Sequence, residues 1–216
     1  MRRKESEFKT IFFSESGTQK INNDYFGYVQ LDNYAIWVIA DGYDGEEGAN
    51  IASKLSVESA IEYFTAHPRF NKEVIKELFK YTNDTIKQKQ EEMERYSLMH
   101  TSLLIVISNY NKILYGNIGN TRLYHIQGGY IVNQSSDDSV SQLLVQERAL
   151  DIKDIKSHRQ RNDLLQAIGD YSKIKPTISN EIKLLEGDKI CLTTRGAWEN
   201  IDEHEIEVEL SKFPER

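Results

Sequence analysis

Hydrophobic positions change their period several times along this chain. Between Tyr25 and Val29, and again between Tyr34 and Ala40, β-branched and aromatic residues form short runs separated by Leu31-Asp32-Asn33, which predicts a strand pair joined by a turn. Beyond Asp41-Gly42-Tyr43-Asp44-Gly45 the spacing lengthens to about 3.6 residues: Ile51, Ala52, Leu55, Ile61 and Phe64 share one helical face that ends before His67-Pro68. A second helix is predicted from Asn71. It carries Val74, Ile75, Leu78, Phe79 and Ile86 on its apolar face, and the charged run Lys87 to Arg95 extends it as a solvated face.

Strand-like runs then return. Ser102 to Ile107, Ile113 to Asn117, Leu123 to Ile126 and Tyr130 to Val132 are short and apolar. Asn109 to Lys112, Gly119-Asn120-Thr121 and Gly128-Gly129 separate them, which predicts an antiparallel meander. A helix capped by Asp138 or Ser139 and carrying Val140, Leu143 and Leu144 follows, and then a polar stretch to Asn162. Leu164 to Ile168 predicts a turn of helix. Thr177 to Leu184 and Lys189 to Thr194 predict a hairpin across Glu186-Gly187-Asp188, and Ile201 onward predicts a closing helix. Strands, two long helices and strands again make an α+β fold with antiparallel sheets covered by helices.

Composition narrows the function classes. A length of 216 residues suits one domain or at most two small ones, and 39% hydrophobic with 28% charged residues is a globular balance. A net charge of −7 argues against a broad nucleic-acid or anionic-lipid footprint. The single cysteine, Cys191, excludes an internal disulfide and a Cys-rich metal site, and its apolar neighbours predict a packing role. The basic start has no apolar stretch behind it, and AIWVIA and LLIVI are too short to span a bilayer, so a reduced, cytoplasmic setting is expected.

Chemistry-bearing residues are sparse when read singly. His67, His100, His125, His158 and His204 have no zinc-ligand spacing. Ser14, Ser16 and Ser139 lack a nucleophile-elbow context, and Asp41, Asp44, Glu46 and Glu47 lack the oxygen spacing of a calcium loop. Taken alone, Asp24 and Asp41 read as turn and strand-end residues.

The order of the short motifs says more. Gly17-Thr18-Gln19-Lys20-Ile21-Asn22-Asn23-Asp24, Asp41-Gly42-Tyr43-Asp44-Gly45, Met99-His100-Thr101-Ser102, Ile118-Gly119-Asn120-Thr121-Arg122 and Asp137-Asp138-Ser139 come first. Asn162 to Gly169, then Glu186-Gly187-Asp188 with Thr194-Arg195-Gly196-Ala197-Trp198-Glu199, complete the series. As an ordered set they resemble the PPM family of metal-dependent protein serine/threonine phosphatases (type 2C), over nearly the whole chain. The resemblance implies a β-sandwich of two antiparallel sheets flanked by helix pairs, as a single domain over 1–216. The family's final Asp-Asn motif and last strand have no counterpart before Arg216, so either the chain is cut there, as the N-terminal part of a longer protein, or that element is missing.

The resemblance also implies a site. Family members hold two or three Mn²⁺ or Mg²⁺ ions by carboxylates at one edge of the sandwich, where a metal-activated water attacks a phosphoserine or phosphothreonine. Such hard ions need clustered oxygen ligands. Carried over by motif, Asp41 matches the bridging carboxylate, Gly42 the carbonyl ligand and Asp24 the acid of the early motif. Five positions depart from the pattern: Gln19 replaces the phosphate-binding arginine, Asn23 a glutamate, Asn120 and Arg195 two aspartates, and Tyr43 the usual histidine or methionine. Asp44 and Asp137 are candidate replacement ligands. Arg195 places a permanent cation where the family holds a dication, so its guanidinium is expected to bridge Asp41, Asp24 or both in the ion's stead. The expected role is therefore a catalytically impaired, pseudophosphatase-like module with a protein partner and no cofactor. The alternative is an active phosphatase that uses Mn²⁺ or Mg²⁺ on a phosphoprotein.

Overall fold

The computed structural model describes residues 7–43, 45, 47–170 and 173–213. Strands β1 (Asp24–Gln30) and β2 (Ala35–Gly42) open the fold. Helices α1 (Ala49–Ala66) and α2 (Lys72–Glu92) follow, then strands β3 (Thr101–Ser108), β4 (Lys112–Ile118), β5 (Arg122–Gln127) and β6 (Tyr130–Gln134). The remaining elements are α3 (Val140–Gln146), β7 (Thr177–Ile178), β8 (Ile182–Lys183), β9 (Lys189–Thr193), α4 (Arg195–Trp198) and α5 (Glu203–Ser211). One sheet has the order β1-β2-β3-β4-β7 with β8 also on β4, and the other the order β6-β5-β9. All pairs are antiparallel.

The layers follow from β3, which is buried at every one of its 8 residues. A strand buried on both faces has no polar alternation, because successive side chains enter two different cores. Leu103, Ile105 and Ile107 join Ile36, Val38 and Ala40 under the helices, with Ala52, Val57, Phe64, Ile75, Leu78 and Phe79. Leu104 and Val106 point the other way and meet Ile113, Tyr115 and Leu123, with Trp37, Ile39, Ile190 and Leu192 partly buried around them, which closes the sandwich. Beyond the second sheet, Ile206 packs on Tyr124 and Ile126, and Leu210 and Cys191 join them, so α5 covers that face.

Local chemistry sets the helix starts. Asn71 accepts from the Val74 amide at 2.8 Å to cap α2, and the Ser139 hydroxyl accepts from Gln142 to cap α3. Asp202 and Glu205 form a reciprocal capping box on α5. Helix α1 instead begins after Gly48 in the left-handed region, with no side-chain cap. Its buried face is rich in Ala and Ser, which lets it lie close to the sheet. A Cβ on Gly27 would come 2.6 Å from Ile61, and one on Gly116 would come 2.7 Å from the Phe79 ring of α2.

Four expectations are corrected. The run from β3 to β6 is no single meander: after β4 the chain turns through Gly119 and β5 starts the second sheet. The predicted hairpin across Glu186-Gly187-Asp188 likewise passes between sheets, since β7 and β8 pair with β4 whereas β9 pairs with β5. In both cases the local pattern records strand, turn, strand, while the partner is chosen by which apolar face each strand must cover. Leu164 to Ile168 is no helix; Leu164 bridges Ser139 and Ile168 bridges Thr101. Finally α2 ends at Glu92, because Met93 is extended and a 3₁₀ turn, Glu94–Tyr96, carries Tyr96 into the core.

Among the described residues, no helix is long and apolar enough to cross a membrane. Burial among Tyr124, Ile126 and Ile206 pushes the Cys191 thiol up to about 11, which keeps it protonated at neutral pH. Native protein at pH 8 is expected to react with Ellman's reagent far more slowly than protein in denaturant, and equal rates would contradict the packing described. Replacing Phe64, fully buried on the inner face of α1, by Ala should cost about 3–5 kcal/mol, read as a lower urea midpoint at unchanged slope.

Candidate functional site

The antiparallel register of β1 and β2 sets Asp24 directly opposite Asp41, so two carboxylates meet where both strands reach the sheet edge. Across the other side of β2, Asp41 faces Ser102, whose hydroxyl donates to the Asp41 carbonyl at 3.3 Å. The Gly42 amide donates to the Asn23 carbonyl and the Tyr43 amide to the His100 carbonyl, which carries the strand pairing past the two acids. Gly42 is required sterically: a Cβ there would lie 2.2 Å from the Ala49 carbonyl oxygen, where α1 begins.

The second sheet supplies the opposite wall. Gly119 turns with φ +87 and leaves no room for a Cβ against Ser102, which brings Asn120 to the edge. The Trp198 indole fixes that turn by donating to the Asn120 carbonyl at 2.8 Å. At the end of β9, the Thr194 hydroxyl donates to Asp24 Oδ2 at 2.6 Å and the Arg195 amide donates to Asp41 Oδ2 at 3.3 Å. Between the walls lies a cavity of about 220 Å³, lined by Asp41, Gly42, Tyr43, Asn120, Asn162, Leu164 and Arg195.

Of the positions singled out in the sequence, Asp41, Gly42, Asn120 and Arg195 therefore line one cavity. Asp24 joins them through its register with Asp41 and its bond to Thr194. Asn23 contributes its backbone carbonyl beside Gly42. Gln19 lies on an exposed turn, its amide donating to the Ser16 carbonyl, outside the cavity lining. Asp44 lies outside the described residues.

Asp137 is placed elsewhere. Its two oxygens accept from Arg122 Nε at 2.8 Å and from a terminal guanidinium nitrogen at 2.6 Å, and both side chains are buried. The same guanidinium stacks 3.5 Å from the centre of the Trp198 ring, so the pair braces the tryptophan that holds Asn120. Burial raises the Asp137 carboxyl above the usual carboxylate range, with Arg122 pulling against it.

Thr194 and Asn162 escaped the sequence reading as site residues. Thr194 was visible only as the residue before Arg195, and nothing local shows that its hydroxyl reaches an acid at the other end of the chain. Asn162 comes to the cavity from the polar stretch before Leu164. Its side-chain oxygen is buried without a hydrogen-bond partner, and the residue lines the cavity.

The family model for protein phosphatase 2C matches residues 14–209. The chain belongs to the protein phosphatase 2C family. Among curated relatives, protein phosphatase PhpP of Streptococcus pneumoniae is 27% identical over 198 residues, covering 89% of this chain and 80% of that protein. The serine/threonine phosphatase stp of Listeria monocytogenes is 23% identical over 211 residues, covering 94% and 81%. Of solved structures, the serine/threonine phosphatase Stp1 from Staphylococcus aureus superposes with a TM-score of 0.83 at 20% identity, over 99% of this chain and 88% of that one. The Streptococcus agalactiae serine/threonine phosphatase gives a TM-score of 0.79 at 22% identity, over 90% and 81%. The two antiparallel sheets with their helices are thus the protein phosphatase 2C fold.

The donor set fits a divalent-metal centre poorly. Of the cavity-lining residues, Asp41 is the anion, Arg195 the cation, and Asn120 and Asn162 are neutral amides. A guanidinium about 5 Å from a dication costs on the order of 7 kcal/mol at an effective dielectric near 20, which cancels the attraction of one carboxylate at the same distance. Asp24, the second acid, already accepts a short bond from Thr194.

Changing Arg122 to Ala strips a buried carboxylate of its partner and Trp198 of its stacked cation. A loss of about 3–5 kcal/mol is expected in urea unfolding, and a change below 1 kcal/mol would contradict the bracing role.

Proposed function

We propose that this chain is a catalytically impaired protein phosphatase 2C domain that acts as a protein-interaction or regulatory module in the cytoplasm. What supports the reading is one observation: Arg195 and Asn120 line the same cavity as Asp41, at the positions where the family resemblance implies carboxylates. Arg195 brings a permanent cation to the lining of the cavity that holds Asp41, while its backbone amide donates to Asp41 Oδ2 and the Thr194 hydroxyl to Asp24 Oδ2, so both acids are engaged by the chain itself. Both acids are half-buried, and each accepts a hydrogen bond from the chain that follows β9. With Gln19 uncharged and on an exposed turn, the arginine that would grip a phosphate is also missing.

A second reading rests on the relatives. Those at 23–27% identity are named as protein or serine/threonine phosphatases, and Asp24, Asp41 and Gly42 are retained together. On that reading Mn²⁺ or Mg²⁺ binds a reduced site and the substrate is a phosphoprotein.

Calorimetry separates the two. Titration of Mn²⁺ into metal-stripped protein is expected to give no heat of binding up to millimolar metal, and p-nitrophenyl phosphate should not be hydrolysed. The double substitution Arg195→Asp with Asn120→Asp should recover Mn²⁺ affinity by at least about tenfold, since loss of even a residue that only orients a ligand typically costs ~10- to 100-fold. Tight binding of two ions by the unmodified chain, with turnover abolished by Asp41→Ala, would instead establish the active phosphatase.

A further inference from the structure

On the helical side of the molecule, a groove of about 640 Å³ runs between α2 and the segment 173–178. It shares no lining residue with the Asp41 cavity. One wall is a stripe of α2. Lys76, Lys80 and Lys87 are spaced by 4 and 7 residues, which sets them within about 40° of one another around the helix axis. Phe79 and Asn83 lie beside that stripe, and Asn83 anchors the facing segment by accepting from the Gly169 amide at 2.9 Å.

The facing wall alternates. Lys173 and Lys175 are exposed, while Ile174, Pro176 and Ile178 turn toward the groove floor, and Ile174 and Ile178 also pack on the main core. Gln166 braces this wall by bonding both the amide and the carbonyl of Lys175. The result is an apolar floor of Phe79, Ile174, Pro176 and Ile178 between two basic rims. Five lysines stand against one carboxylate, Asp84, which is paired with Lys80 at 2.5 Å. This concentration of positive charge sits on a chain whose net charge is −7.

We propose that this groove docks an acidic peptide segment of a protein partner, with an apolar side chain on the floor and flanking carboxylates on the two lysine rims. The volume falls in the range of ~300–1,000 Å³ usual for ligand clefts, and the opposed rims match a strand or loop that carries carboxylates on both sides of an apolar anchor. Charge complementarity selects the acidic partner and steers its approach, and the apolar floor selects a peptide over a bare polyanion. The assignment rests on these residues alone and holds whether or not the Asp41 cavity binds metal.

The test is fluorescence anisotropy with the full chain and a labelled octapeptide carrying six carboxylates around a central Leu-Phe pair. Saturable binding is expected that weakens as salt rises. The charge-reversal pair Lys76→Glu with Lys175→Glu takes one residue from each wall. It should weaken binding roughly tenfold or more, with circular dichroism and thermal midpoint unchanged. The milder pair Lys76→Gln with Lys175→Gln should give an intermediate loss. Replacing Leu-Phe in the peptide by Ser-Ser should also weaken binding. No binding, or binding that ignores both lysine changes, overturns the proposal. So does equal affinity for the Ser-Ser peptide or for an oligothymidylate of matched charge, since either would make the groove a general polyanion sink. Failure here leaves the metal titration unaffected, so the two readings fail separately.

Discussion

The whole architecture depends on a central strand pair that cannot face water on either side. Strands β2 and β3 carry apolar residues of both parities, so the helices must cover Ile36, Val38, Leu103 and Ile105 while a second sheet covers Trp37, Ile39, Leu104 and Val106. Neither cover is optional, because the core beneath each would be exposed if it were absent. The same strand pair also dictates where chemistry can occur. As β2 leaves the core it ends at Asp41 and Gly42, beside the end of β1 at Asp24, at the edge where the second sheet delivers Asn120, Thr194 and Arg195. The site is a consequence of where two sandwiched sheets run out of apolar residues.

At that edge the problem is electrostatic. Two carboxylates brought into register repel each other unless donors or positive charge lie nearby. Here a short network reaches both acids from the end of β9, through the Thr194 hydroxyl and the Arg195 amide, with the Arg195 side chain in the cavity wall. The Trp198 indole and the Arg122–Asp137 pair fix the facing turn. The wall around the two acids is thus assembled from hydrogen bonds, with Arg195 as the cation of the lining.

Much of this was legible in the residues themselves. The 3.6-residue spacing of Ile51 to Phe64 and of Val74 to Ile86 marks the two long helices, and Asn71, Ser139 and Asp202 mark starts that are capped as their side chains demand. The motif order points to the protein phosphatase 2C fold and to Asp24, Asp41, Gly42, Asn120 and Arg195 as neighbours. Less legible were the ends and the pairings. The charged run after Ile86 has uniform helical propensity, so only the burial of Tyr96 tells where α2 stops. Asp137 matches a motif, yet its position opposite Arg122 places it in a structural ion pair away from the cavity.

The sequence by itself determined most of the elements, their order and the residue types that gather at one edge, because periodicity, caps and motif residues are properties of neighbours along the chain. The tertiary structure alone decided that Gly119 and Glu186-Gly187-Asp188 cross between sheets, and that Thr194 reaches an acid 170 residues away. It alone decided that lysines from α2 and from residues 173–175 face each other across one groove. The physical reason is the same in each case: local pattern specifies which face of an element is apolar, but which other element covers that face is settled only when every apolar surface must be buried at once.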